Sequence, residues 1–432
     1  MAAPADDRVP CPMAGSADFH YRRGELFCES VSLRELARAH GTPLYVYSAA
    51  CIRDRYQAVR AAFGDAAQIC YAVKANSNLS ILQLLASLGA GFDLVSGGEL
   101  QRLLAAGIDP RRAVFAGAAK AKWEIELGVK EQVRAFQVES PHELPLLAAA
   151  GRAHGRRVPI EVRLNPAIAV DTHAYIATAR QDSKFGIDLD RAGALVAQIA
   201  GDPDLELVGY HVHLGSQLRA VEPYVQAFAA VAAFLRGAPA RRLGVKHYDL
   251  GGGFGISYGK GEAFPLAELA AALLPQLSAH GLRPMLEPGR YLVGDAGVLV
   301  TEVLGHKQSG STSFVLVDAA MNDLLRPALY SAEHPIVPVA DRGRASSTVD
   351  VVGPVCESGD FLARARSLPS VESGELLAVL ATGAYGISMA SCYNTRRRPA
   401  EVLVDGASHR VIRRRESFAA LWRDELPNES FA

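Results

Sequence analysis

A lysine that directly follows a short apolar segment is the first residue of this chain that could do chemistry. Lys74 ends the mostly apolar run Gln68–Lys74. Withdrawal from water lowers the pKa of a lysine, and its neutral amine can then form a Schiff base. The commoner alternative is a lysine that reaches solvent or pairs with a carboxylate. Lys74 by itself leaves both roles open.

Three consecutive glycines, Gly251–Gly253, follow another apolar segment. Glycine lets the backbone approach an anion closely and present its N–H groups to it. The run GGGFG differs from the dinucleotide fingerprint GxGxxG, and no GKS or GKT follows it. A phosphate monoester therefore fits better than a dinucleotide, and a tight turn after a strand is the structural alternative.

His213 and Glu287 end two further apolar segments. An imidazole can stack on a flat ring, and a carboxylate can keep a pyridinium nitrogen protonated. Each residue alone is more often structural than functional. Together with Lys74 and Gly251–Gly253, they match the requirements of a pyridoxal 5'-phosphate site, so we predict that cofactor and no metal.

The segments that position these residues alternate with amphipathic stretches of helical period. Eight segments read as strands: Gln68–Lys74, Gly91–Ser96, Ala113–Gly117, Ala135–Glu139, Ile160–Asn165, Leu205–His213, Val245–Leu250 and Arg283–Glu287. Helices are predicted at Ser80–Leu88, Glu99–Ala106, Leu189–Ala200, Pro223–Leu235 and Leu266–His280. This rhythm predicts a (β/α)8 barrel with its chemistry at the carboxyl ends of the strands. A doubly wound open sheet is the alternative.

The pattern changes after about residue 300, where strand-like segments follow one another with few helical stretches between them. They are Val298–Leu304, Ser313–Asp318, Pro335–Val339, Thr348–Val355, Glu375–Ala381 and Glu401–Val404. Asp405-Gly406 lies between apolar runs and predicts a hairpin. We therefore predict an α/β protein in which a TIM-like (β/α)8 barrel spans 44–298. A β-sandwich or β-barrel domain would span 299–432 and include the N-terminal segment 1–43.

Composition excludes several classes of protein. The 432 residues carry 45 basic and 46 acidic side chains, for a net charge of -1, which disfavours binding to nucleic acid or membrane surfaces. The six cysteines form no CxxC pair, so a structural zinc site or disulfide scaffold is not expected. No apolar run is long enough for a membrane helix, and the N-terminus lacks a signal-peptide pattern. We expect a cytoplasmic enzyme that acts on a small molecule.

Long segments resemble the alanine-racemase-fold decarboxylases that use pyridoxal phosphate, and among them the diaminopimelate decarboxylase group. The segments that carry the resemblance are YAVKAN (71–76), FDLVSGGEL (92–100), THAYIATARQDSKFGI (172–187), HVHLGSQ (211–217), DLGGGFGISY (249–258), EPGRYLV (287–293), DAAMNDLLRPALY (318–330), VVGPVCESGDFLA (351–363) and GAYGISMASCYNTRRRPAEVLV (383–404). They cover roughly residues 44–404 in the family's order.

The resemblance implies roles for individual residues. Lys74 would form the internal aldimine, His213 would stack on the ring, and Glu287 would hold its nitrogen. The other cofactor-binding residues would be Asp93, Ser216, Gly251, Gly252, Gly253, Pro288, Gly289, Arg290 and Tyr385, of which Ser216, Gly251–Gly253 and Gly289 would hold the phosphate. Cys356 would donate a proton across a homodimer interface that shares two active sites. The amino-acid substrate would be bound by Arg290, Arg326, Tyr330, Glu357 and Tyr385.

The residues agree with the implied activity, which is conversion of meso-2,6-diaminopimelate to L-lysine and carbon dioxide. A thiol near a cationic site is a plausible acid. Arg290 and Arg326 could clamp a carboxylate while Glu357 takes an ammonium, which suits the second amino-acid head of diaminopimelate. The sequence differs from the family's usual residues in segment 116–122. It also differs in the loop 165–180, at Ala174 and Ala179.

The sequence leaves other functions open. A related decarboxylase could act on ornithine, lysine, arginine or a carrier-linked amino acid. A racemase fits less well, because it leaves the CESGD loop unexplained. A non-catalytic regulatory homologue usually lacks the lysine or the cysteine, whereas this chain has both Lys74 and Cys356.

Overall fold

The computed structural model describes residues 8–11, 13, 15–168, 184–237 and 245–425. Its strands are β1 (Arg8–Pro10), β2 (Phe19–Arg22), β3 (Glu25–Cys28), β4 (Val31–Ser32), β5 (Leu44–Ser48), β6 (Gln68–Ala72), β7 (Gly91–Leu94), β8 (Ala113–Phe115), β9 (Ala135–Val138), β10 (Val158–Asn165), β11 (Ile187–Asp188), β12 (Leu205–His211), β13 (His247–Asp249), β14 (Arg283–Leu286), β15 (Gly297–Ser309), β16 (Thr312–Val317), β17 (Ile336–Pro338), β18 (Ser346–Val352), β19 (Phe361–Pro369), β20 (Leu376–Val379), β21 (Ala400–Asp405) and β22 (Ser408–Arg413). Its α-helices are α1 (Leu33–His40), α2 (Ala49–Phe63), α3 (Leu79–Ser87), α4 (Gly97–Ala105), α5 (Lys122–Lys130), α6 (Glu143–Ala153), α7 (Leu189–Gly201), α8 (Glu222–Leu235), α9 (Leu266–Ala279), α10 (Arg290–Val293), α11 (Arg326–Tyr330) and α12 (Phe418–Leu421).

Eight parallel strands close into a barrel in the unit formed by 52–257 and 261–293. The strands run in the order β6, β7, β8, β9, β10, β12, β13 and β14, and β14 pairs again with β6. This closed sheet confirms the predicted (β/α)8 barrel and excludes the open-sheet alternative. All eight predicted strands are present, most of them shorter than expected at one or both ends.

The barrel strands form where apolar residues are buried on both faces of the sheet. β10, for example, is buried along nearly its whole length, as expected for a parallel strand covered by helices. Helix starts are fixed by side chains: Asn78 caps α3 by accepting a hydrogen bond from the backbone N–H of Ser80, and Ser96 caps α4 in the same way from Glu99. These caps fix where α3 and α4 begin, after the strand ends near Lys74 and Asp93.

The second unit comprises 1–51, 258–260 and 294–432 and is built mainly from antiparallel strands. One sheet follows the order β19-β18-β16-β15-β5-β21-β22, with β20 pairing with β15 and β17, and a small sheet joins β1 to β4. Its core includes Leu44, Val46, Val298, Val300 and Val402. The predicted hairpin is present, with β21 and β22 joined through Gly406 at a φ of 65°.

The two ends of the chain therefore share one β unit. β5 pairs with β15 and β21, so residues 44–48 lie in this sheet, whereas the sequence pattern had placed them in the barrel segment 44–298. β19 was not predicted, although it pairs with β18 along most of its length. Among the described residues, no helix is both long and apolar enough to cross a membrane.

Candidate active site

Lys74 and Asp93 form an ion pair at neighbouring strand ends of the barrel. Lys74 lies in a single 3-10 turn, Val73–Ala75, directly after β6, and its Nζ contacts Oδ2 of Asp93 on β7. The Asp93 side chain is fully buried, whereas the Lys74 side chain is 35% exposed. Of the two roles that the sequence left open for Lys74, the structure shows the lysine that is paired with a carboxylate and partly exposed, because the strand ends at Ala72 and the side chain lies beside Asp93.

Glu287 is the buried carboxylate at the end of β14. Its Oε2 lies 3.2 Å from Nε2 of His211, and its Oε1 accepts a 2.7 Å hydrogen bond from Nε2 of Gln137. Burial alone would raise the pKa of Glu287, but the facing His211 and Lys74 hold that pKa well below its usual range. Glu287 is therefore an ionised carboxylate in the barrel interior.

Two more acids share the Gln137 amide. Nε2 of Gln137 also lies 3.3 Å from Oε2 of Glu161 and 3.2 Å from Oδ2 of Asp249. Burial, together with the neighbouring Glu287, raises the pKa of Asp249. Burial likewise raises the pKa of Glu161 to about 7, against the lowering effect of His211. The barrel thus keeps one carboxylate charged and makes ionisation of its neighbours costly.

His213 and the glycine run meet at adjoining strand ends. The N–H of Gly252 donates to Nδ1 of His213 over 3.3 Å, so that nitrogen acts as the acceptor. Desolvation and the cation of Arg163 lower the pKa of His213 well below its usual value, which favours a neutral imidazole. A side chain on Gly252 would place its Cβ 2.1 Å from the backbone oxygen of Glu287, so only glycine fits there.

Ser216 and Arg290 are joined by a hydrogen bond within the barrel unit. Nη2 of Arg290 donates to Oγ of Ser216 over 3.0 Å, and Arg290 is buried. Pro288 accepts a hydrogen bond from Ala72 through its carbonyl oxygen. Gly289 packs so closely that a Cβ there would lie 3.1 Å from Cβ of both Ala72 and Ala75. The predicted cofactor-binding residues of the barrel thus lie at the ends of β6, β7, β12, β13 and β14.

The remaining predicted residues belong to the β unit. Arg326 and Tyr330 begin and end α11, and Arg326 is buried. Nη1 of Arg326 donates to the Tyr258 hydroxyl over 2.9 Å. Tyr385 has a φ of 56°, a backbone conformation that is uncommon for a tyrosine.

Cys356 and Glu357 are exposed in a loop between β18 and β19. The backbone N–H of Cys356 donates to Oδ1 of Asn394 over 3.0 Å, and the Tyr393 hydroxyl donates to Oε2 of Glu357 over 2.9 Å. Asp360 closes the loop by accepting a 2.7 Å hydrogen bond from the N–H of Val355. The thiol is therefore presented to solvent by a well-tethered loop rather than packed as a small apolar side chain.

A family model described as "Pyridoxal-dependent decarboxylase, pyridoxal binding domain" matches residues 49–294, which is more than half of the chain. The chain belongs to the pyridoxal-dependent decarboxylase family. Its predicted membership of this family is thereby confirmed, and the match covers every barrel residue described above.

Similar proteins of this decarboxylase family extend the match to both units. The diaminopimelate decarboxylase of Aquifex aeolicus is 46% identical over 402 residues, covering 92% of this chain and 95% of the relative. The Helicobacter pylori diaminopimelate decarboxylase, solved in complex with L-lysine, has a TM-score of 0.87 at 41% identity and covers 91% of this chain and 98% of its own. The M. jannaschii diaminopimelate decarboxylase, also solved with L-lysine, has a TM-score of 0.91 at 35% identity, over 96% of this chain and 99% of its own.

The barrel residues fit the cofactor that this decarboxylase family uses. The lowered pKa of Glu287 suits a protonated ring nitrogen, and the crowded glycines, which have no side chains, can present backbone N–H groups to a phosphate. Oδ1 of Asp93 is buried and has no hydrogen-bond partner among the described residues, so a polar group can still be satisfied there. Lys74 stands beside it with its amine partly accessible.

Sequence reasoning missed several residues of this site. His211 alternates with His213 at the end of β12, and this i, i+2 spacing could have shown that both point to the same face. Gln137 interrupts the otherwise apolar strand β9, and Glu161 and Asp249 are acids within predicted barrel strands, which is a signal that could have found them. Segment 116–122 departs from the family pattern, and its Lys120 has a structural role. Lys120 is buried and donates 2.7 Å hydrogen bonds to Glu143 and to the Gln137 carbonyl. Ala174 and Ala179 lie outside the described residues.

Proposed function

We propose that this protein is a pyridoxal-phosphate-dependent decarboxylase that converts meso-2,6-diaminopimelate to L-lysine and carbon dioxide. The observation that carries the proposal is the similarity of the whole chain to diaminopimelate decarboxylases, 46% identity over 92% of its length in one case. A match of this extent includes both the barrel and the β unit. The residues of each unit support the same chemistry.

The barrel residues would hold the cofactor. When bound, pyridoxal phosphate supplies an electron sink for the electrons released as carbon dioxide leaves. Lys74 would bind its aldehyde carbon, His213 would stack on the ring, and Glu287 would keep the ring nitrogen protonated. Ser216, Gly251–Gly253 and Gly289 would hold the phosphate, with Asp93, Pro288, Arg290 and Tyr385 completing the binding set.

The β-unit residues would act on the substrate. Arg326, together with Arg290 of the barrel, would bind the carboxylate of the amino-acid head that is retained, because a guanidinium can make two parallel hydrogen bonds to a carboxylate. Glu357 would bind the ammonium of that head, with Tyr330 and Tyr385 as further contacts. Sγ of Cys356 would donate the proton that replaces carbon dioxide on the reacting carbon. We propose that this thiol acts in the partner's site of a homodimer, consistent with its exposure in one chain.

The test is carbon dioxide release by the purified protein loaded with pyridoxal phosphate. Meso-diaminopimelate, L-ornithine, L-lysine and L-arginine would be offered in parallel. We expect release from diaminopimelate alone. Release from another amino acid would keep the decarboxylase but overturn the proposed substrate. No release from any of the four, with the yellow cofactor band present, would also contradict the proposal and direct attention to carrier-linked amino acids.

A further inference from the structure

The guanidinium of Arg326 contacts two side chains of the β unit, those of His334 and Tyr258. Its Nη1 lies 2.7 Å from Nε2 of His334 and 2.9 Å from the hydroxyl of Tyr258. Its Cζ lies 5.0 Å from the centroid of the Tyr258 ring. Arg326 is 6% exposed and His334 is fully buried. Both partners are uncharged when the histidine is neutral, so these contacts orient the guanidinium without cancelling its charge.

The position of the His334 proton follows from its other contact. Nδ1 of His334 lies 2.9 Å from the carbonyl oxygen of Leu380. A carbonyl oxygen can only accept, so Nδ1 must carry the hydrogen. In the neutral ring Nε2 then has a free lone pair, which accepts the hydrogen bond from Arg326. The backbone therefore selects the tautomer that can hold an arginine.

The anchoring carbonyl is itself fixed by the sheet. Leu380 directly follows β20, and its N–H donates to the carbonyl of Pro335 over 2.8 Å. The residue before it, Val379, pairs with Ile336 of β17. The Tyr258 ring also packs edge-on against His334, with 5.1 Å between the ring centroids. A continuous series of hydrogen bonds thus joins the backbone of the sheet to His334 and His334 to Arg326.

We propose that His334 is a positioning residue that orients Arg326 to bind the carboxylate of the substrate head that survives decarboxylation. The proposal rests on the proposed function and adds a residue that controls recognition of that carboxylate. A guanidinium binds a carboxylate through a planar pair of N–H groups, so the plane must be set in advance for the pair to form at little entropic cost.

Binding of two small molecules distinguishes a role in positioning Arg326 from a general loss of structure. L-lysine, the proposed product, keeps the surviving carboxylate. 1,5-Diaminopentane has the same chain and both amines but lacks that carboxylate. A residue that acts through Arg326 should affect the first ligand and not the second.

The experiment measures binding of both ligands to the cofactor-loaded protein by isothermal titration calorimetry. His334→Asn keeps an amide N–H for the Leu380 carbonyl but is too short to present an acceptor to Arg326. We expect its Kd for L-lysine to rise about 10- to 100-fold, the usual effect of losing a hydrogen bond to a charged group. Its Kd for 1,5-diaminopentane should stay within about twofold. The KM for diaminopimelate should rise with the L-lysine Kd while kcat changes little.

Two further variants complete the test. His334→Gln places a carbonyl oxygen near the position of Nε2 and should recover most of the L-lysine affinity. His20 is a matched control, because it is buried in the same unit and accepts a 3.0 Å hydrogen bond from Nε of Arg22. His20→Asn should leave the binding of both ligands unchanged. If His334→Asn does not fold, His334→Phe takes its place, because it keeps a ring against Tyr258 but offers Arg326 no acceptor. Equal losses of affinity for the two ligands in that variant overturn the proposal.

Other results would also overturn the positioning role. Equal losses for the two ligands in His334→Asn would show a general structural effect, and unchanged L-lysine affinity would show that Arg326 needs no such support. Either result together with carbon dioxide release from diaminopimelate by the unmodified protein would leave the proposed function standing. Absence of that release would instead count against the proposed function itself.

Discussion

At the scale of the residue, two lysines show how the surroundings decide a role. The Lys120 side chain is 1% exposed, and its Nζ makes three hydrogen bonds, to Glu143 and to the carbonyls of Gly117 and Gln137. Those bonds fix it as part of the barrel wall. Lys74 contacts Asp93 but keeps 35% of its side chain accessible. Only the second amine is available to react with a carbonyl compound.

Lys74→Ala should abolish the yellow absorbance band of the protein-bound cofactor, because alanine has no amine to bind it covalently. The band is measured by absorbance spectroscopy after loading with pyridoxal phosphate and desalting. Lys122→Ala is the control, since the Lys122 side chain is 76% exposed and should not affect the band. An unchanged band in Lys74→Ala would remove Lys74 from the site.

Cys356→Ala should fold and bind the cofactor but release the product at least about 100-fold more slowly, the usual range for loss of a general acid. Steady-state kinetics with diaminopimelate measures the effect, and the cofactor band checks binding. Cys392→Ala, a half-buried cysteine of the same unit, should keep normal turnover. Normal turnover in Cys356→Ala would show that another group donates the proton.

At the scale of the element, the site depends on how closely neighbouring strand ends approach. The glycine run after β13 passes so near to the ends of β12 and β14 that any side chain would meet backbone. A Cβ on Gly251 would lie 2.5 Å from the Val212 oxygen, and one on Gly253 would lie 2.3 Å from the Gly215 oxygen. Contacts this short cannot relax by rotating a side chain, because backbone atoms are involved.

Gly252→Ala should therefore lower affinity for pyridoxal phosphate at least about tenfold or destabilise the barrel, because its Cβ would lie 2.1 Å from the Glu287 oxygen. Cofactor titration and thermal unfolding measure the two effects. Gly193→Ala in α7 is the matched control: it has open space around it, so we expect equal or slightly higher stability. A Gly252→Ala protein with normal affinity and normal stability would contradict the predicted close approach.

At the scale of the whole molecule, ionisation of buried acids in the barrel lowers the stability of the folded protein. Glu161, Asp249 and Glu287 share one amide, and burial raises the pKa values of the first two. A folded protein that binds a proton more tightly than its unfolded chain loses stability as the pH rises between the two pKa values. For Glu161 this window extends from 4.5 to about 7.

Glu161→Gln should remove this contribution, because its amide does not titrate. The free energy of unfolding of the variant minus that of the unmodified protein should rise from pH 4.5 to about 7 and then stay constant. Urea unfolding at a series of pH values measures the difference. Glu262→Gln, at an exposed position, should give no comparable rise. A flat difference for Glu161→Gln would show that Glu161 is ionised throughout this range.

Much of the architecture could be predicted because apolar periodicity is a local property. The eight barrel strands and the helices α3, α4, α7, α8 and α9 follow patterns of buried residues that can be read within one segment. β19 escaped prediction because Arg364 and Arg366 interrupt the apolar pattern of Phe361–Pro369. β5 was assigned to the wrong unit for a different reason: its pairing with β15 and β21 depends on residues about 250 and 350 positions away.

The same distinction between local pattern and tertiary contact applies to the candidate active site. The sequence by itself determined the family. It also predicted the cofactor and the residues Lys74, His213, Gly251–Gly253 and Glu287, because each stands at the end of a recognisable strand within a distinctive motif. Only the tertiary structure decided that Lys74 pairs with Asp93, that Gln137 is shared by three carboxylates, and that His334 holds Arg326. These contacts join residues whose separation in sequence carries no signal, and burial fixes their charges only after the barrel and the β unit have formed.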